Sequence, residues 1–167
     1  MKRKKRKKSK KLTKAKIKKN LKRLKNKALK LWALAVKVRA HNKCEAPGCD
    51  STEFLNSHHL ESKYNCKALM LDVRNGLCLD AGHHRFKQDS AHKSFCFTLM
   101  CLYKHRESDI DYLLEHRNDV VELTQEYLEN KIIELEGIIL ARRNADLQKS
   151  PRVTEGDIKD TTSQSVS

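Results

Sequence analysis

The stretch between Cys44 and His84 gathers side chains that bind metals or move protons. Cys44 and Cys49 flank Pro47-Gly48, a pair that marks a tight turn. Asp80 and His83 follow further along, with two residues between them. Two thiols in a turn and two later donors have the spacing of a zinc site. Cys44, Cys49, Asp80 and His83 are the expected ligands of a structural Zn2+. Aspartate is uncommon in such sites, and Cys78, two residues before Asp80, is an alternative to it. With an apolar fraction of 38% and 5% aromatics, a zinc would also compensate for a small core.

His58, His59, Asn75 and His84 remain. Adjacent residues on a strand point to opposite faces, so one of His58 and His59 can hold a metal while the other faces a different atom. An imidazole of ordinary pKa, about 6.5, accepts a proton from water at neutral pH. The acceptor of Asn75 can orient an imidazole N–H and so choose the free ring nitrogen. A hard divalent cation polarises a phosphodiester oxygen and stabilises the leaving oxyanion. These groups together suffice for metal-assisted phosphodiester hydrolysis.

Taken in order, "CEAPGC", "SHHL" and "NGLCLDAGHH" resemble the HNH nuclease family. Its pattern is a cysteine pair, Asp or His before His, an Asn, then a ligand pair two residues apart followed at once by His. "LWALAVKVRAHNKCEAPGC" is similar to the lead-in helix of phage HNH proteins, and "HHRFKQDSAHKS" to their following helix. The resemblance covers about residues 28–95. It implies a ββα-metal fold: two strands and a helix around one catalytic divalent ion, Mg2+, Mn2+ or similar. It implies that His59 is the general base and that His58 and His84 hold the ion. It implies that Asn75 orients His59 and braces its loop. Gln88 or His92 would supply a further ligand, and Arg85 and Lys87 would touch phosphates. Asp80-x2-His83 stands where the family usually has Cys-x2-Cys.

Several elements must position these groups. Ile17, Leu21, Leu24, Ala28, Leu31, Ala35 and Val38 alternate spacings of four and three, which predicts a helix over 12–40. Leu29, Trp32 and Val36 widen its apolar stripe where it meets the body. A short strand over 52–60 ends at the paired histidines, and 61–70 reads as loop. A turn at Asn75-Gly76 leads into a strand to Leu79, and a helix follows from Ala81. Phe95–Leu102 is apolar, with Cys96 and Cys101 expected as core thiols. A short helix spans 108–116. Asn118 is placed to cap a longer, acidic helix over 119–145, whose apolar face is Val121, Leu128, Ile132, Leu135 and Ile139. His41, His105 and His116 read as surface or cap residues.

The charge is uneven. Residues 1–43 carry 21 Lys or Arg and no acidic residue, whereas the rest carries 15 basic and 21 acidic residues. The net charge of +15 therefore belongs to one arm. Such an arm binds phosphates by releasing counterions, and Lys4, Lys5, Arg6, Lys7 and Lys8 are the expected DNA contacts. The run "KRKKRKK" also fits a nuclear address, and a merely solvated tail is the plainest reading. The acidic helix suits packing along the basic one, or either suits a second copy in a homodimer. No stretch reaches the ~20 apolar residues of a membrane span. The expected location is the cytoplasm, the host's for a phage protein, or the nucleus in a eukaryote. In a reducing compartment the six cysteines are ligands or core residues rather than disulfides.

The expected fold is α+β: a small ββα-metal HNH core with structural zinc, flanked by long N- and C-terminal helices. Its parts are a disordered basic arm (1–11), a basic helix (12–40), the nuclease core (41–95), a helical C-terminal region (96–147) and a disordered tail (148–167). The expected function is DNA hydrolysis by a metal-dependent HNH endonuclease. Alternatives are a non-catalytic zinc-containing nucleic-acid-binding accessory protein and a junction-resolving nuclease.

Overall fold

The computed structural model describes residues 13–149; the expected contacts Lys4–Lys8 and the tail beyond Lys149 lie outside them. Helix α1 spans Lys14–Arg39. Lys, Leu and Ala dominate it and no Gly or Pro interrupts it, so local propensity and apolar stripe agree. Strands β1 (Asn56–His59) and β2 (Gly76–Leu79) follow, joined through two short helical turns, Leu69–Leu71 and Val73–Asn75. A five-residue helical turn, Gly82–Phe86, precedes α2 (Phe95–His105), α3 (Glu107–His116) and α4 (Gln125–Lys149). The fold is α+β, with one two-stranded antiparallel sheet among the described residues.

The main core lies between α1, α4 and one face of the sheet. Leu24, Ala28, Trp32, Ala35 and Val36 of α1 meet Leu128, Ile132, Leu135 and Ile139 of α4, together with Met70, Leu71 and Cys78. Asn20 reaches Gln125 at one end of the pair, and His41 beside the α1 terminus meets Arg142 at the other, so the two helices run parallel. Lys27 and Glu136 bridge them at 2.9 Å. Both side chains are half exposed, so this basic–acidic pairing adds little beside the apolar seam. No described helix is long and apolar enough to cross a membrane.

The sheet registers Asn56 with Leu79 and His59 with Gly76. Its pleat divides β2 between two cores. Cys78 joins the α1 side, whereas Leu77 and Leu79 face Cys44, Phe97 and Cys101. Four hydrogen bonds from side chains fasten α1 to the hairpin. Trp32 Nε1 donates to the Asp72 carbonyl at 2.8 Å. Arg39 Nη1 donates to the carbonyls of Val73 at 2.8 Å and Gly76 at 3.0 Å. Ser57 Oγ donates to the Ala33 carbonyl at 2.7 Å.

The structure departs from the sequence expectations in four places. The strand toward the histidines is four residues long, because Phe54 just before it has a left-handed φ of 49°. The helix expected from Ala81 stops at Phe86, and α2 starts afresh at Phe95, where Ser94 Oγ accepts from the Phe97 N–H at 3.1 Å. Cys96 is exposed; on α2 the buried residues are Phe97, Cys101 and Leu102, and Cys96 is one position round from Phe97. Asn118 does not cap α4. Asp119 instead accepts from His116 Nδ1 at 2.7 Å, and Thr124 Oγ1 accepts from the Tyr127 N–H at 3.1 Å where the helix begins. Val121 therefore precedes α4. None of the six cysteines is paired.

Gly76 marks the closest approach of β2 to α1. A Cβ there would lie 2.4 Å from Val36 Cγ2 and 3.0 Å from the Trp32 ring. Gly76→Ala should lower stability by about 1–3 kcal/mol. Gly137→Ala, in α4 with no atom within 4 Å of the methyl it would gain, should raise it by about 0.5–1 kcal/mol. Urea denaturation of both variants beside the wild type checks the pair.

Candidate metal centres and an imidazole-lined cleft

After α1 the chain reverses through His41 and Asn42, whose φ values of 54° and 53° are left-handed. The Cys44 N–H then donates to the Ser51 carbonyl at 2.9 Å, and Cys49 N–H to Ala46 at 3.1 Å. Gly48 supplies the positive φ, 73°, that this turn requires. Across from it, Asp80 follows the last residue of β2, and its Oδ1 accepts from the His83 N–H at 2.8 Å and so starts the short helix.

These two segments bring Cys44, Cys49, Asp80 and His83 together, with one ligand atom of each within 4.8 Å of the others. Cys44 Sγ is 3.6 Å from His83 Nδ1, Cys49 Sγ is 3.2 Å from Asp80 Oδ2, and Asp80 Oδ2 is 2.8 Å from His83 Nδ1. Ligand atoms on a tetrahedral zinc with bonds of about 2.0–2.3 Å stand roughly 3.3–3.8 Å apart. The group can hold a metal ion, and its donors are compatible with zinc. Burial pushes the Cys44 thiol up to about 12. Burial also acts to raise Asp80, but hydrogen bonds from the His83 N–H, the Cys49 thiol and the His83 ring outweigh it and hold the carboxyl well below the usual range. A cation would replace those donors and stabilise the thiolates. Cys78 does not join the group, because the pleat sends its side chain to the α1 core.

A second group forms on β1. His58, His84 and His92 also bring ring nitrogens within 4.8 Å of one another. His58 meets His84 and His92 edge-on, with centroids 5.5 and 4.9 Å apart, and His92 Nε2 is 3.3 Å from His84 Nε2. Burial and the neighbouring imidazoles lower His58 to about 4. Burial likewise lowers His84. Ring nitrogens brought this close together form a donor set that a divalent ion can share. Of the two candidates for the further ligand, His92 is brought in. Gln88 lines a separate hollow with His83 and Lys87.

His59, one residue on, turns to the other face. Its ring stacks on Trp32 with centroids 3.6 Å apart and planes 12° apart. His59 Nε2 lies 3.0 Å from the Met70 carbonyl, which can only accept, so Nε2 carries the proton and Nδ1 keeps a free lone pair. Burial lowers the pKa of this ring too. Because β1 ends here, His58, His59, His84 and His92 all line one cleft of about 430 Å³.

Asn75 does not touch His59, contrary to the orienting role expected for it. Its Oδ1 accepts from the Glu61 N–H at 2.6 Å, and its Nδ2 donates to the carbonyls of Glu61 at 3.0 Å and Leu69 at 2.9 Å. Fully buried, it braces the 61–69 loop, and that loop delivers the Met70 carbonyl to His59. Lys87 Nζ turns to His83 Nε2 at 3.0 Å, beside the thiol group rather than the cleft, while Arg85 is exposed. Sequence reasoning missed Lys63 and Tyr64, which line the cleft from the loop. No motif marks either residue.

Comparisons with protein-family models, with curated proteins and with solved structures find no match to this chain.

Two outcomes follow from this geometry. Purified protein should carry one tightly held zinc that Cys49→Ser and Asp80→Ala lose and Cys78→Ala keeps, as measured by metal analysis. The unfolded chain protonates its histidines near the ordinary value, whereas folded His58 does so only near 4, with His59 and His84 lowered in the same direction. The unfolded state then binds more protons as pH falls from about 6.5 toward about 4, so the metal-free protein loses stability through that window. Its urea midpoint should be lower at about pH 5 than at about pH 7.5, and His58→Gln should narrow the difference.

Proposed function

We propose that this chain is a metal-dependent HNH endonuclease that hydrolyses DNA phosphodiester bonds. One observation carries the reading: a base-ready histidine and a three-imidazole donor set open on the same cleft. His59 Nδ1 takes the proton of the attacking water. The Met70 carbonyl holds the tautomer that leaves Nδ1 free, and the Trp32 stack holds the ring plane. His58, His84 and His92 hold the catalytic ion. When bound, a divalent ion there supplies Lewis-acid stabilisation of the charge on the phosphate and its departing oxygen. Three nitrogen donors favour a transition-metal ion over Mg2+. Lys63, on the cleft wall, meets the anionic phosphate.

Cys44, Cys49, Asp80 and His83 hold a structural zinc that ties the exit of α1 to the end of β2. The role is positional, since β2 runs antiparallel to the strand that carries His58 and His59. Lys4, Lys5, Arg6, Lys7 and Lys8, with the exposed lysines of α1, supply sequence-independent affinity for the DNA backbone.

Supercoiled plasmid incubated with Mn2+, Ni2+ or Mg2+ should be cut, and EDTA should stop the reaction. His59→Ala should slow cutting by about 10²- to 10⁴-fold without changing the fold. His92→Ala should shift the metal dependence to higher concentration. An intact plasmid with every ion would sink the nuclease reading, and undiminished cutting by His59→Ala would sink the assignment of the base.

A further inference from the structure

A hollow of about 460 Å³ adjoins the imidazole cleft and shares His58 and His92 with it. Its walls come from the end of β1, from α2 and from α3. Leu60, Leu99, Leu102 and Leu113 make the interior apolar. Phe95 and Leu114 also line it and remain 75% and 54% exposed. Large apolar side chains left open beside a polar site point to a ligand surface. Lys93 and Arg117 add positive charge to the same walls, against the single carboxylate of Glu61.

The two ends of the chain are poor occupants by composition. Nine of residues 1–12 are Lys or Arg, and residues 150–167 are rich in Ser, Thr and Asp. The shared histidines favour a ligand that spans both spaces, with an anion in the cleft and an apolar plate in the hollow. A nucleotide has that shape and chemistry: phosphate on one side, a stackable base on the other, with cations for the flanking phosphates.

We propose that the hollow takes an unpaired nucleobase adjacent to the phosphate bound in the imidazole cleft. The proposal rests on the nuclease reading above and narrows its substrate. A base inside a duplex is stacked and paired and enters such a hollow only after being extruded. The preferred substrate is then nucleic acid with an unpaired nucleotide at the cut, such as a flap, bulge, junction or single strand.

Fluorescence anisotropy tests this with the zinc-loaded full-length protein, no other divalent ion added and about 0.2 M salt, where backbone affinity is reduced. The probes are a labelled single-stranded oligonucleotide and the same strand with abasic sugars. Wild type should bind the base-bearing strand about tenfold more tightly, the scale of one stacked base. Thr98→Trp, which fills the hollow, and Leu114→Glu, which charges its exposed wall, should bring the two affinities within about twofold. The surface position of Leu114 keeps the test valid if the larger Thr98 substitution disturbs folding. Equal binding of both strands by wild type overturns the proposal and leaves the hollow to an apolar protein segment. Discrimination that survives in both variants overturns it as well. Plasmid cutting in the same preparation separates the two levels. Cutting without base discrimination defeats only the hollow, whereas no cutting with any ion defeats the nuclease reading beneath it.

Discussion

The fit of β2 against α1 is the constraint on which the rest of the structure depends. Gly76 lies so close to Val36 and Trp32 that no larger residue fits without movement. Trp32 and Arg39 donate to three carbonyls around that point, those of Asp72, Val73 and Gly76. The Asp72 and Val73 carbonyls also accept from the Asn75 and Gly76 N–H groups, so the side chains of α1 use second lone pairs to tie the turn to the helix. A hairpin of two four-residue strands is marginal alone. Backed by a 26-residue helix that α4 clamps from beside, it becomes rigid enough to carry side chains in register.

That rigidity lets two adjacent histidines do different things. The pleat turns His59 onto Trp32 and His58 toward His84 and His92. On a longer strand the two would open on opposite sides of a sheet. Here β1 ends at His59, so one cleft reaches both faces. The same economy places Asp80 one residue beyond β2, where it starts a helical turn and turns its second oxygen to His83 and Cys49.

Electrostatics separates the two donor groups. Burial, and then the neighbouring imidazoles, hold His58 and His84 below the ordinary imidazole range. Around Asp80 the carboxylate is held ionised by donors while the buried Cys44 thiol stays protonated. A cation in that group would meet one ready anion and the buried Cys44 thiol, which releases its proton on binding.

The sequence by itself determined the parts governed by local pattern. The stripe of α1, the Pro47-Gly48 turn, the strand positions of His58 and Cys78 and the acidic face of α4 all follow from periodicity and turn chemistry, which act over a few residues. The candidate donors Cys44, Cys49, Asp80 and His83 were legible for the same reason, since their spacing is local within each pair. Tertiary structure alone decided which groups meet across long separations. It chose His92 over Gln88, because the helix that would have set their spacing ends at Phe86 and a turn carries the chain back. It excluded Cys78, because the pleat has only two sides and α1 occupies one. It transferred the orienting of His59 from Asn75 to the Met70 carbonyl, because the packing of the 61–69 loop turns the buried amide onto Glu61 and Leu69 and brings the Met70 carbonyl to the ring. A loop's path depends on what it packs against, and no spacing in the sequence encodes that.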